Sequence, residues 1–292
     1  MSCNALKCDT TPYMVHKAII RSITNLALDN VLFEVAVSDE TILSQCKPGQ
    51  FFQIYVPGAG EAPISISALS RKDCIEFCVR RVGRVTSALF QLQEGDWIGL
   101  RGPFGNGFPV DEMKGSNVIM VAGGLGVAPL RSLWQYLIDH RRDFGDISLV
   151  YGMKHSEDIL FRNEFRQLIL RHDIEVFVAA EDINGPAVPS IDFQIGRVTD
   201  LLDLAHCDQS YKAALCGPPI MYRFVVDALR KRGLCEQNIY LSLERQMKCG
   251  IGRCGHCFIG GHFACKEGPV FSVAKLNFMK EVVECKGASY AD

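Results

Sequence analysis

Near the C-terminal end of the 292-residue chain, the stretch LERQMKCGIGRCGHCFIGGHFACKEGPVF sets Cys249, Cys254, Cys257 and Cys265 in a C-x4-C-x2-C-x7-C array. Four thiolates so spaced can be aimed at one point. The first three follow a spacing that suits a [2Fe-2S] cluster, and Gly250, Gly252 and Gly255 let the backbone curl so that its amides face the sulfurs. A structural zinc site is the alternative, although such sites usually come as paired short C-x2-4-C knuckles. His256, inside the same loop, reads as a supporting or exposed residue, because four cysteines already complete a ligand set.

VAGGLGVAP, with Gly123, Gly124, Gly126 and Pro129, lies between the apolar run NVIMVA and an amphipathic stretch. Glycines there admit a pyrophosphate, and the free amides and positive dipole end of a following helix stabilise its charge. The G-x-G-x-x-G fingerprint is not matched, so a tight packing turn is the competing reading. CGPPIMY supplies a second Gly-Pro turn at the end of a later apolar run. In EAPISISA and RRVGRVTSALF, Ser65, Ser67, Gly83 and Thr86 offer hydroxyls and unhindered amides suited to a ring edge or to phosphates. Taken singly, each is as readily a strand end or a turn.

Two kinds of scaffold must position these groups. From Met14 to Arg101 the short β runs HKAIIRSI, VLFEVAV, QFFQIYV, ISIS, IEFCVRRV and DWIGLR, broken by Gly, Pro and Asp, predict a small antiparallel barrel. After GPFGNGF and the polar DEMKGSN, the candidate strands NVIMVA, ISLVY, IEVFVA, YKAALC and NIYLSL alternate with helices. One helix opens at Pro129 with Leu130, Leu133, Trp134, Leu137 and Ile138 on one face. A second follows Pro219 with Met221, Phe224, Val225, Ala228 and Leu229, and stops at Gly233. Such alternation gives an open parallel sheet of nucleotide-binding type, hence a two-domain chain, α+β then α/β. The expected divisions are a flexible arm over 1–12, a barrel over 13–112, the parallel-sheet domain over 113–243 and the cysteine segment with its tail over 244–292. EDINGPAVPSIDFQ is the long irregular segment.

With 48% hydrophobic and 22% charged residues the chain has material for packed cores, and a net charge of -2 gives no reason to expect nucleic acid. Thirteen cysteines without an export-type N-terminus argue for metal and redox chemistry rather than a disulfide framework, and for the cytoplasm. The stretch VIMVAGGLGVAPL is too short and too glycine-rich to span a bilayer. Cys3 and Cys8, on a polar leader, read as free thiols or as a C-x4-C clasp shared with a partner.

The barrel, APISIS, VGRVT, GPFGNGF, GGLGVAP, CGPP and the cysteine array occur in the order of the ferredoxin-NADP reductase superfamily, which the chain resembles from about Val15 to Phe271. More narrowly it is similar to the gamma subunits of cytoplasmic nickel-iron hydrogenases (sulfhydrogenases). The B subunit of anaerobic sulfite reductase and the electron-transfer subunit of dihydroorotate dehydrogenase are cousins. LERQMKCGIGRCGHC is the most specific part. The resemblance implies a six-stranded antiparallel FAD-binding barrel, an NAD(P)-binding parallel-sheet domain and a [2Fe-2S] loop. Together they would carry electrons between NAD(P)H and a partner enzyme, a hydrogenase first and the cousins' partners next. A non-enzymatic zinc-binding module with an unused nucleotide fold is the reading of a different class.

The resemblance also implies roles for residues. APIS stands where the superfamily has R-x-Y-S, so Ser65 would lie by the flavin ring near N5, with Pro63, Ile64 and Ile66 along the ring. Ala62 replaces the motif's Arg, which leaves the pyrophosphate to Arg80 or to amides around Gly83, Val85 and Thr86, and leaves FMN as an alternative to FAD. Cys216, with Gly217 and Pro218, would face the nicotinamide, against the bland reading of a small buried hydrophobe. Lys154, His155 and Arg162 could meet a 2'-phosphate, and Glu157 and Asp158 a plain ribose, so the nucleotide stays NAD(P)H. No catalytic triad is needed, since the cofactors carry the chemistry.

Overall fold

The computed structural model describes residues 12–71, 73–183 and 191–276; Cys3 and Cys8 lie outside them. Alternating apolar residues in the first third form β1 (His16–Ala27), β2 (Asn30–Val37), β3 (Phe51–Val56), β4 (Gly60–Ser65), β5 (Ala68–Arg71), β6 (Cys74–Arg80) and β7 (Trp97–Phe104), with helices α1 (Glu40–Gln45) and α2 (Arg84–Leu89) between them. The alternation is plain in β2, where Val31, Phe33, Val35 and Val37 point inward and their neighbours outward. The strands run antiparallel in the order β4-β3-β7-β1-β2-β6-β5.

The run ISIS, expected as one strand, breaks at Ile66 and Ser67. On one side of the break β4 pairs with β3; on the other β5 pairs with β6. Within it, the Ile66 amide donates to the Gln50 carbonyl at 2.9 Å and the Ser67 amide to the Glu76 carbonyl at 2.8 Å. A single kinked strand therefore passes from one edge of the sheet to the other and closes the barrel. Counted that way, the barrel has the six strands expected. Phe33, Phe52, Phe77, Ile54, Ile66 and Leu100 fill it, each contributing on the order of 1.5–3 kcal/mol by leaving water.

After α3 (Val110–Met113) come β8 (Asn117–Gly123), α4 (Val127–Asp139), β9 (Ile147–His155), α5 (Arg162–Ile169), β10 (Glu175–Asp182), β11 (Phe193–Ile195), α6 (Val198–Leu201), β12 (Tyr211–Cys216), α7 (Pro219–Lys231) and β13 (Ile239–Ser242). Their sheet order is β11-β10-β9-β8-β12-β13, all parallel. Pro129 is the third residue of α4, where its missing N–H is one that a helix start cannot pair anyway. Gly233 ends α7 at φ 88°, its amide donating to the Arg230 carbonyl at 2.9 Å. β11 lies at the end of the segment expected to be irregular. A further strand, β16 (Val270–Ser272), comes from GPVF beyond the cysteines and adds to this sheet antiparallel to β13. The boundary expected at 243 is thus crossed by hydrogen bonds.

The two sheets meet through α4. Arg131 is buried there; its Nη1 donates to Glu76 of β6 at 2.6 Å and its Nε to Glu164 of α5 at 2.8 and 2.9 Å. Its guanidinium also lies 4.7 Å from the centre of the Phe161 ring. Next to it, the Gly49 amide donates to the Ser132 hydroxyl at 3.1 Å. No helix among the described residues is long and apolar enough to cross a membrane.

Candidate cofactor sites and the cysteine loop

Between β13 and β16 the chain makes a loop with its own two-stranded turn, β14 (Phe258–Ile259) and β15 (His262–Phe263). Gly250, Gly252 and Gly255 take φ of 76°, 71° and 82°, the left-handed region that other residues enter at a cost. Their curl turns the amides of Ile251, Arg253 and Cys254 onto the Cys249 sulfur, at 3.5, 3.3 and 3.4 Å, and the Gly252 amide onto the Cys265 sulfur at 3.0 Å. The thiols meet two by two: Cys257 and Cys265 are 3.3 Å apart, and Cys249 hydrogen-bonds to Cys254. Among the described residues no three His, Cys, Asp or Glu side chains gather as they would about one ion. Two thiolate pairs with amides directed at sulfur fit a two-iron cluster better than a mononuclear zinc site.

The electrostatics favour thiolate on the outer pair. The amides of His256 and Cys249 hold the Cys254 thiol down at about 7. Partial burial pushes Cys249 up, but the amides of Ile251, Arg253 and Cys254 more than offset it and its pKa falls. Burial raises Cys265 to about 12, so its deprotonation needs a cation. Cys254 is exposed with His256 and Phe258, whereas Cys257 and Cys265 are buried. His256 is therefore a surface residue, as the sequence indicated.

The barrel holds this loop by residues that no local pattern revealed. Arg101 of β7 donates to the carbonyls of Lys248 and Cys249, Gln53 of β3 donates to the Met247 carbonyl at 2.9 Å, and Asn106 exchanges hydrogen bonds with both backbone groups of Val270, at 2.7 and 3.3 Å. GPFGNGF is thus a clamp. A Cβ on Gly105 would lie 2.5 Å from the Gly268 carbonyl oxygen, which is why that position must be glycine.

At the proposed flavin strand, Pro63, Ile64 and Ser65 are half-buried on β4 and have surface to offer a ligand. Ile66 has none: it is wholly inside the barrel core, because the kink turns it inward, and the expectation that it lies along a ring is corrected. The Ser67 hydroxyl is equally buried and has no partner. Arg80 and Gly83 are exposed, and nothing lies within 4 Å of where a Gly83 Cβ would be. α2 packs on β4 and half-exposes Val85 there. The Thr86 hydroxyl is already used: it accepts the amides of Val82 and Gly83 at 3.0 Å each and donates to the Gly83 carbonyl at 3.1 Å. Its side chain shapes the turn, leaving backbone and Arg80 for an anion.

At the glycine turn, the three glycines differ. A Cβ on Gly126 would sit 2.2 Å from the Cys216 carbonyl oxygen, and one on Gly123 would sit 2.6 Å from the Met221 sulfur; both are packing glycines. Gly124, at φ 53°, faces open space and precedes a helix start with no side-chain cap. Open backbone ahead of an uncapped helix start leaves amides free to meet an anion. Pro129 is buried in α4, Pro218 is exposed and Gly217 packs on Met221. Cys216 is 1% exposed, donates weakly to the Ser242 carbonyl at 3.7 Å and has its thiol raised by burial. It is a core residue, and the expected contact with a nicotinamide is corrected. Of the residues weighed for the ribose, His155 already faces Asp182 at 3.5 Å, while Lys154 and Glu157 are exposed and Asp158 and Arg162 half-buried.

One residue links the sites. Phe51 is the cross-strand partner of Ser65, and its side chain lies in the same buried cluster as Cys257, Cys265 and Met247. α4, which starts at the glycine turn, packs against β5, which starts just past Ser67.

Comparison with known proteins gives the same order of parts. The oxidoreductase FAD-binding domain family matches residues 17–108 and the oxidoreductase NAD-binding domain family residues 120–227. The family of the iron-sulfur cluster binding domain of dihydroorotate dehydrogenase B matches residues 244–277. Sulfhydrogenase 2 subunit gamma of Pyrococcus furiosus is 42% identical over 277 residues, covering 89% of this chain and 96% of its own length. A probable electron transfer subunit of dihydroorotate dehydrogenase B from Archaeoglobus fulgidus is 33% identical over 250 residues, covering 85% and 96%. Among solved structures, a chain from an NADH-dependent reduced ferredoxin-NADP oxidoreductase superposes with a TM-score of 0.71 at 26% identity, over 90% of each chain. With FAD-binding, NAD-binding and iron-sulfur domains in one polypeptide, the chain belongs to the flavin and iron-sulfur electron-transfer subunits of the ferredoxin-NADP reductase superfamily, the family that includes the sulfhydrogenase gamma subunits and the dihydroorotate dehydrogenase B electron-transfer subunits.

Proposed function

We propose that the chain is the NAD(P)H-handling subunit of a cytoplasmic hydrogenase complex, exchanging electrons with a partner subunit at the exposed Cys254 edge. When bound, FAD exchanges a hydride with NAD(P)H and single electrons with the iron-sulfur cluster, in either direction. Pro63, Ile64 and Ser65 would bear on the flavin ring; Arg80 and the amides around Gly83 and Val85 would meet its phosphates. Gly124 and the start of α4 would hold the dinucleotide pyrophosphate, and Cys249, Cys254, Cys257 and Cys265 the cluster. Phe51 supports the order of these sites, since it touches the flavin strand on one side and the cysteine core on the other. We divide the chain as 13–112, 113–243 and 244–292, with β16 bonded back to the middle part.

The partner assignment rests on one observation: identity to the sulfhydrogenase gamma subunit is higher, and extends over more residues, than to the dihydroorotate dehydrogenase subunits. The cytoplasm is supported by a set of thiols that an oxidising compartment would convert to disulfides. Affinity purification of the tagged chain from its own cell tests the partner. Co-purification of hydrogenase subunits with hydrogen-dependent reduction of NAD(P)+ is expected. Co-purification of a dihydroorotate-oxidising or sulfite-reducing subunit instead would replace the assignment and leave the electron-transfer role standing.

A further inference from the structure

Arg101 is only 5% exposed, and all five of its N–H groups are engaged. Nε and Nη2 grip the two carboxylate oxygens of Glu61 at 3.1 and 2.7 Å. Nη1 donates to the carbonyls of Cys249 at 2.6 Å and Pro12 at 3.3 Å, and Nη2 also donates to the carbonyl of Lys248 at 3.1 Å. Its flat face lies 5.2 Å from the centre of the Phe104 ring, the ring that a Cβ on Gly250 would strike at 2.7 Å. One guanidinium thus ties β4, β7 and the first turn of the cysteine loop together.

The pair is neutral as a whole but lopsided towards the loop. The cation touches the backbone of the first cysteine, whose sulfur collects three amides. The carboxylate lies on the far side, next to Ala62, with 28% of its side chain exposed and therefore partly screened by water. A buried cation favours whatever nearby group gains an electron, and an anion disfavours it.

We propose that the Arg101–Glu61 pair is the positioning and charge-setting device of the cysteine loop, with Arg101 raising and Glu61 lowering the reduction potential of the iron-sulfur group. This deepens the electron-transfer reading and rests on it. A mere structural anchor would let either substitution loosen the loop in the same way. A charge-setting pair moves the potential in opposite directions.

The test is a redox titration of the whole chain followed by electron paramagnetic resonance, for Arg101→Gln and Glu61→Gln beside the unsubstituted protein. Arg101→Gln, which keeps an amide able to reach a carbonyl, is expected to lower the midpoint by at least tenfold in the one-electron equilibrium constant, 59 mV. Glu61→Gln is expected to raise it, by less, since that carboxylate is partly solvated. Unmoved midpoints, or two shifts of the same sign, would overturn the proposal. If Arg101→Gln fails to accumulate, Glu61→Gln decides alone: a raised midpoint supports the pair's role and an unmoved one refutes it. Absence of iron and acid-labile sulfide from the unsubstituted chain would instead remove the electron-transfer reading, and the proposal with it.

Discussion

Gly124 and Gly126 are two residues apart and play different parts. Alanine at Gly126 puts a methyl group into the backbone of β12, 2.2 Å from a carbonyl oxygen, and overpacking of that kind costs about 1–3 kcal/mol. Gly126→Ala should lower the thermal midpoint and weaken NAD(P)H binding together. Gly124→Asn meets no neighbour and tolerates the left-handed backbone, so it should leave the midpoint within a few degrees while raising KM for NAD(P)H several-fold. If melting curves and flavin-bleaching kinetics show equal losses in both variants, the turn has only a packing role. Substitution of Cys257 tests the proposed order of the electron path. Serine is a poorer ligand than thiolate for cluster iron, so Cys257→Ser should lose the iron-sulfur absorption. Bleaching of the flavin by NAD(P)H should stay within about tenfold of wild type, a barrier change of about 1.4 kcal/mol, while delivery to the partner falls far more. Flavin reduction that collapsed with FAD still bound would show that the order of sites is wrong.

At the scale of elements, the clamp of Asn106 on Val270 is the joint between barrel and terminal strand. Asn106→Ala removes its two side-chain hydrogen bonds, at about 0.5–1.5 kcal/mol each, and keeps the bond from its amide to the Gly268 carbonyl. Hydrogen exchange should quicken at β16, where Val270 to Ser272 pair with β13, and stay slow in β8 and β12. Uniform protection across the sheet would mean that the strand holds without the clamp. This joint also marks the limit of what the sequence could tell. Elements with a clear period, such as β2 and α7, were legible because burial on one face leaves its period in the chain, and β8 because burial on both faces leaves an unbroken apolar run. The cysteine spacing was legible because chemistry fixed it locally. The kink at Ile66 was not, since ISISA alternates like a single strand and only pairing with both Gln50 and Glu76 breaks it. Nor was the fivefold bonding of Arg101, whose partners lie 40 to 148 residues away along the chain; the burial of Cys216 was one of two readings that its strand-end position left open.

Across the whole molecule, the relation of the nicotinamide domain to the barrel depends on Arg131 between Glu76 and Glu164. Arg131→Met leaves the buried Glu76 carboxylate unpaired, which should cost about 3–5 kcal/mol. Flavin reduction at saturating NAD(P)H should slow, with FAD retained, because the two domains lose their shared anchor. Converting Glu76 to Met in the same chain should recover much of the stability, since apolar replacement of a buried ion pair is often neutral. A double variant no more stable than the single one would mean that the cost comes from lost packing. β13 and β16, finally, are antiparallel neighbours, with Ser242 opposite Val270, and the whole cysteine loop hangs between them. Its two ends are as close as those of a hairpin. The cysteine loop therefore enters and leaves the chain at one point of the second sheet, an insertion between two paired strands whose side chains fill the core beside them.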